Sequence, residues 1–98
     1  MFSLTMDLLA SDFGPLAAGE DVTGSHLFCP DGPMALPEVA RASCVNPQSG
    51  GDGNPTVRID FPDEGSARSW HRGMMVPYMG TWPEHIEWEF NAMARRAA

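Results

Sequence analysis

The stretch TVRIDF, residues 56–61, carries the clearest strand pattern in the chain. Val57, Ile59 and Phe61 alternate with three polar residues, so on an extended backbone the apolar side chains all point to one face. The run Pro-Asp-Glu-Gly at residues 62–65 then ends the pattern with turn-forming residues. We therefore predict a half-buried β-strand here and build the fold outward from it.

A second strand is predicted at the start of the chain. There FSLTMDL, residues 2–8, alternates apolar and polar side chains without error. A helix stays open as an alternative, since four apolar residues would also share one helical face: Phe2, Met6, Leu9 and Phe13. The strict alternation favours the strand, and VTGSHLFC, residues 22–29, is predicted as a third one.

The chain before the TVRIDF strand is predicted to hold a short helix and a long loop. LPEVARASC, residues 36–44, places Leu36 and Val39 on one helical face, with Pro37 in the first turn. NPQSGGDGNP, residues 46–55, consists almost wholly of turn-forming residues. We predict that this second segment is a flexible loop.

Another short helix is predicted after the TVRIDF strand. From Ser66 onward, apolar residues recur at helical spacing, Trp70 and Met74 among them. Residues 75–79 are predicted to be extended or irregular, because Pro77 interrupts them.

The C-terminal helix, near residues 83–96, has the strongest signals. Thr81 and Glu84 fit a capping box, with Pro83 in the first turn. One apolar stripe runs along it, formed by Trp82, Ile86, Phe90, Met93 and Ala97. Together these elements predict a single α+β domain over residues 1–98, with a small, mostly antiparallel sheet and two or three helices.

The charge of the chain limits its functions. Thirteen Asp and Glu oppose six Arg and no Lys among 98 residues, a formal net charge of −7 at pH 7. Such a charge repels nucleic acid phosphates, so we expect no direct nucleic acid binding and favour a basic protein partner.

The sequence also predicts where the protein works. No apolar run reaches the length that spans a membrane, and the stretch MFSLTMDLLA lacks the basic start of a signal peptide. We expect a cytoplasmic protein that does not bind membranes, in which Cys29 and Cys44 are reduced thiols rather than a disulfide.

One aromatic residue departs from the C-terminal stripe. Trp88 lies about 200° around the helix from Ile86, which would leave an apolar area of about 150–250 Å² in water unless something covers it. Trp, Tyr, Met and Arg are enriched where proteins meet. We predict a partner-binding surface formed by Trp88, Trp82, Tyr78, Met74, Met75 and Arg95. The alternative is that these large side chains fill the core of a small domain.

Metal and catalytic motifs are sparse. His26 and Cys29 form one H-x-x-C pair that Cys44 would extend, but strong zinc patterns join two such pairs. We predict no bound metal, no cofactor and no catalytic residues.

Two arginines form a weak candidate for anion binding. Arg68 and Arg72 lie four residues apart on one helical face, close to a predicted helix N-terminus. The favoured interpretation is that these arginines pair with a nearby carboxylate, that of Asp60, Asp63 or Glu64.

These features favour a small acidic, non-catalytic binding protein that docks on a larger protein and inhibits or regulates it. Phage-encoded inhibitors such as anti-CRISPR proteins are also small, acidic and free of enzyme motifs, and the chain resembles them in size and charge only. A second hypothesis is a small dimeric α+β enzyme or ligand-binding domain, with His71, His85 or Arg72 in its pocket. A third is a structural subunit of a larger assembly.

Overall fold

The computed structural model describes residues 1–8, 16–24, 26–27, 34–49, 54–79 and 83–97, with side chains left out at 26–27, 34–35, 48–49, 75–79 and 95–97. The described elements follow in this order: β1 (Phe2–Asp7), β2 (His26–Leu27), β3 (Met34–Ala35), β4 (Arg41–Ser49), β5 (Asn54–Phe61), α1 (Glu64–Met79) and α2 (Pro83–Ala97). The predicted α+β class, with a small antiparallel sheet and two or three helices, is confirmed.

The main sheet has three antiparallel strands in the order β1-β5-β4. The strand predicted at residues 56–61 lies in its centre as β5, where Ile59 pairs with Leu4 of β1 and with Ala42 of β4. The strand predicted at residues 2–8 is confirmed as β1. Residues 56–60 of the central strand thus have a paired residue on either side, which makes TVRIDF the organising element of the sheet.

The core lies on one face of this sheet. Val57, Ile59 and Phe61 are buried almost completely, and the helices contribute aromatic rings to the same core. The Phe61 and Trp70 rings lie 5.7 Å apart, while Phe90 of α2 stacks on Phe2 of β1 at 5.6 Å. Burying each such side chain contributes roughly 1.5–3 kcal/mol, so both helices are held to the sheet mainly by apolar contact.

The opposite face of the sheet is polar. On β5 it carries Arg58 and Asp60, whose side chains form an ion pair at 3.3 Å. Asp60 also accepts a hydrogen bond from the Ser3 hydroxyl of β1. The alternation seen in the sequence therefore separates an apolar face from a polar one, on which Thr5 is buried with its hydroxyl donating to the Met93 carbonyl.

The prediction of a helix over residues 36–44 is wrong. The chain makes a tight turn there, with the Ala40 N–H donating to the Pro37 carbonyl at 3.0 Å, and β4 begins at Arg41. Ala42 and Cys44 alternate onto the buried face. A helix of two turns is marginal in water, whereas pairing with β5 satisfies the same backbone groups and buries these side chains.

The predicted loop at residues 46–55 is too long at both ends. β4 runs to Ser49 and β5 starts at Asn54, and the register of the pair shifts at Asn46 and again before Ser49. Pro47 lies in this irregular part of an edge strand, where its missing N–H is tolerated. Residues 50–53 lie outside the described part of the chain, so their flexibility stays a prediction.

The described residues between 22 and 29 do not form the continuous strand that the sequence predicts. Thr23 and Gly24 form a turn, in which the Asp21 carboxylate accepts a hydrogen bond from the Thr23 N–H at 2.8 Å. Only His26–Leu27 is a strand, paired with Met34–Ala35. Asx turns of this kind compete with extended structure, which explains the break.

Helix α1 starts earlier and ends later than predicted. The Asp63 carboxylate caps it by accepting a hydrogen bond from the Ser66 N–H at 2.7 Å. This hydrogen bond is the main cause of the lowered pKa of Asp63. The prediction that residues 75–79 are not helical is wrong, because α1 continues through Pro77 to Met79. An interior proline costs about 3 kcal/mol, and the turns before it are anchored in the core by Trp70 and Met74.

The C-terminal helix is confirmed as α2, which begins at Pro83 and ends at Ala97. Thr81 and Trp82, the start of the predicted capping box, lie outside the described residues.

Candidate functional site

Helix α2 has one buried face and one exposed face. Ile86, Phe90 and Met93 are buried against the rest of the domain. Trp88 lies on the opposite side of the helix with 59% of its surface exposed. A large indole is thus presented to solvent by a rigid helix whose other face is anchored in the core.

The surroundings of Trp88 are partly aromatic and partly acidic. The His85 ring lies 6.0 Å from the Trp88 ring at an interplanar angle of 35°. Glu84 precedes Trp88 by four residues and Ala92 follows it by four, so both lie on the same side of the helix. We call Glu84, His85, Trp88 and Ala92 the Trp88 face. It combines an apolar contact with negative charge.

The structure separates the residues predicted to accompany Trp88. Met74 is only 3% exposed and belongs to the core, so it cannot contribute to a docking surface; this corrects the prediction for Met74. Its own helical spacing explains the burial, since it follows Trp70 by one turn. Met75 and Tyr78 lie in α1 and Arg95 in α2, with side chains outside the description, and Trp82 lies outside the described residues altogether.

Arg68 connects the two helices. Its guanidinium donates to Glu64 at 2.7 Å and to Glu87 of α2. The same group lies 4.4 Å above the ring of Phe90. The hydrogen bonds to Glu64 and then Glu87 raise the pKa of Arg68.

Arg68 therefore pairs within the domain, as the favoured interpretation predicts. Glu64 is one of the predicted partners, and Glu87 was not predicted. A Glu64–Arg68 spacing of four can be found in the sequence, whereas the Glu87 contact depends on how the helices pack. Arg72 is exposed and makes no ion pair with the described side chains.

His71 is a buried structural residue. It is 1% exposed, and its ring meets the edge of Phe90 at 5.4 Å. Its Nε2 atom has no hydrogen-bond partner among the described residues. Burial lowers the pKa of His71 from 6.5 to about 4, with Glu87 opposing the change and Arg68 and Arg72 adding to it. The imidazole is therefore neutral at physiological pH and shielded from any substrate in solution.

Two shallow grooves meet at Val39, which is 64% exposed. The larger, about 670 Å³, runs between the turn before β4 and the start of α1, with Trp70 in its wall. The smaller, about 270 Å³, continues along the end of β5 beside Arg41. Neither is lined by His71, His85 or Arg72, so neither matches the pocket that the enzyme hypothesis requires.

The candidate metal ligands lie only partly within the described residues. Among them there is no group of three or more His, Cys, Asp or Glu side chains placed to hold an ion. Cys44 is a buried free thiol in the core, while Cys29 and the side chain of His26 lie outside the description.

Within the described ranges, no helix is long and apolar enough to cross a membrane. Comparison with known proteins gives no match to a family model, to a curated protein or to a solved structure.

Proposed function

We propose that this chain is a small acidic, non-catalytic binding protein that docks on a larger protein partner through the Trp88 face and inhibits or regulates it. The observation that supports this proposal is the exposure of Trp88 on a helix that is otherwise well packed. Trp is among the residue types that are enriched where proteins meet.

The energy available from this one side chain is considerable. An indole buries about 150–250 Å² in full contact, and 59% of Trp88 is still exposed. At about 25 cal/mol per Å², covering the remainder contributes about 2–4 kcal/mol. That is the range of an interface hot spot, where Trp is the most enriched residue type.

The charge of the chain supports a basic partner. The net charge is −7, and no described side chain forms an ion pair with Glu84 beside Trp88. Carboxylates around an apolar contact increase the rate of association with a positively charged surface and disfavour acidic competitors. We place the protein in the cytoplasm, and phage-encoded inhibitors are the class that its size and charge resemble.

The test is affinity capture from an extract of the host, with three baits. Val45 is 47% exposed on β4, away from α2, so Val45→Ser serves as a matched control for the loss of an exposed apolar group. We expect wild type and Val45→Ser to capture the same protein and Trp88→Ala to lose it. With the captured protein purified, Kd should rise by about thirtyfold to several hundredfold for Trp88→Ala, which corresponds to about 2–4 kcal/mol.

The proposal fails if Trp88→Ala and wild type bind the captured protein equally well. It also fails if Trp88→Ala lowers the free energy of unfolding by about 3–5 kcal/mol, since Trp88 would then serve the core. A second copy of the chain as the only bound species would instead identify the Trp88 face as a homodimer contact.

A further inference from the structure

Helix α2 carries two acid–aromatic pairs that face different ways. Glu87 and Phe90 face α1, and Glu84 and Trp88 face outward. In each pair the carboxylate precedes the aromatic ring by three or four residues, the spacing at which helical side chains are neighbours.

The inner pair already holds an arginine. The Arg68 guanidinium donates to the Glu87 carboxylate while its carbon atom lies 4.4 Å from the centre of the Phe90 ring. The carboxylate neutralises the cation, and the negative face of the ring attracts it. This chain thus shows the geometry in which one of its acid–aromatic pairs binds a guanidinium.

The outer pair has the same chemistry, and the described ring beside its indole is His85, at 6.0 Å. No described cation lies over Trp88, and no described arginine pairs with Glu84. Trp is also the best of the aromatic residues for contact with a cation. Negative charge and an exposed ring together favour a positively charged side chain that can stack.

We propose that the Glu84–Trp88 pair receives an arginine side chain of the protein partner, with the guanidinium stacked on the indole and hydrogen-bonded to the Glu84 carboxylate. This inference depends on the proposed function and specifies the chemistry of the partner. Arginine fits better than lysine, because its guanidinium is planar, stacks on aromatic faces and loses less hydration.

The test uses three short blocked peptides that differ in one residue: Ac-Gly-Arg-Gly-amide, the lysine equivalent and the uncharged citrulline equivalent. Binding is followed at low salt by the NMR shifts of the α2 backbone amides and of the Trp88 indole N–H. We expect saturable shifts with the arginine peptide at a Kd on the order of millimolar, weaker shifts with lysine and no saturation with citrulline.

Matched variants assign the binding to the pair. Glu84→Gln should weaken binding of the arginine peptide by about two- to fivefold, and Trp88→Leu should abolish saturation. Glu89→Gln removes the same charge on another side of α2 and should leave Kd unchanged. Equal shifts with the arginine and citrulline peptides, or equal losses for Glu84→Gln and Glu89→Gln, would overturn the inference.

The result also separates this inference from the proposed function. If Trp88→Ala loses the captured partner but the arginine peptide never saturates, Trp88 fills an apolar pocket of the partner and only the arginine inference fails. If Trp88→Ala retains the partner, the docking proposal itself fails.

Discussion

Acidification from pH 7 to pH 4 should destabilise this protein through His71, independently of its carboxylates. The pKa of His71 falls from 6.5 to about 4 on folding because burial disfavours the charged imidazole. The unfolded chain therefore binds more protons than the folded chain between these two values, so stability is full above about pH 6.5 and is lost as the pH falls.

The size of the effect follows from the width of that window. Each pH unit within it removes about 1.4 kcal/mol of the free energy of unfolding, so complete passage removes about 3 kcal/mol. Glu87 faces His71 and attracts a proton, whereas Arg68 and Arg72 repel it. Among the described residues, no group pairs with Nε2, so none of them would accept a hydrogen bond from a proton added there.

Urea unfolding of wild type and His71→Leu at several pH values between 4 and 7.5 measures how His71 changes the free energy of unfolding with pH. Leucine has a similar volume and no proton to bind, so carboxylate titrations cancel in the difference between the two proteins. Wild type should lose about 3 kcal/mol relative to the variant as the pH falls. His85→Asn removes an exposed imidazole and serves as the control. A difference that stays constant from pH 6.5 to pH 4 would refute the assignment of His71 as a buried neutral residue.

Three further predictions concern the helices, each measured by urea unfolding at pH 7. Arg68→Ala removes the contact with α2 and should lower the free energy of unfolding by about 1–2 kcal/mol, because exposed ion pairs and the ring contact are individually weak. Arg72→Ala should lower it by less than about 0.5 kcal/mol. Equal losses for the two variants would contradict the contact between the helices. Asp63→Ala removes the α1 cap and should lower the urea midpoint, a loss that Asp63→Ser should largely restore. Phe90→Ala should cost about 3–5 kcal/mol, whereas Trp88→Ala should cost less than about 1 kcal/mol; the reverse order would contradict the orientation of α2.

The elements with strong local periodicity could be predicted from the sequence. β1, β5 and α2 each repeat apolar residues at the spacing of their own secondary structure, so the burial of Ile59 and of Phe90 follows from pattern alone. The exposure of Trp88 follows in the same way, because its angle on the helix opposes the apolar stripe.

The remaining elements depend on distant parts of the chain. β4 contains small residues such as Ala42 and Cys44, whose burial reflects pairing with β5 rather than any local preference. Helix α1 passes through Pro77 against its local propensity. The contact between Arg68 and Glu87 joins two helices, and no spacing within either helix specifies it.

Composition was a poor guide to the candidate site. Met74 belongs to a residue type that is common at interfaces, yet its helical spacing from Trp70 places it in the core. Residue type gives no direction, whereas position on the helix does. Trp88 remains the best candidate because its angle and its exposure agree.

The decisive measurement is the Kd of Trp88→Ala for the captured partner, made beside its melting temperature. A rise in Kd of about tenfold or more, with a melting temperature close to that of wild type, is the predicted result. An unchanged Kd would show that the exposed indole of α2 plays no part in docking.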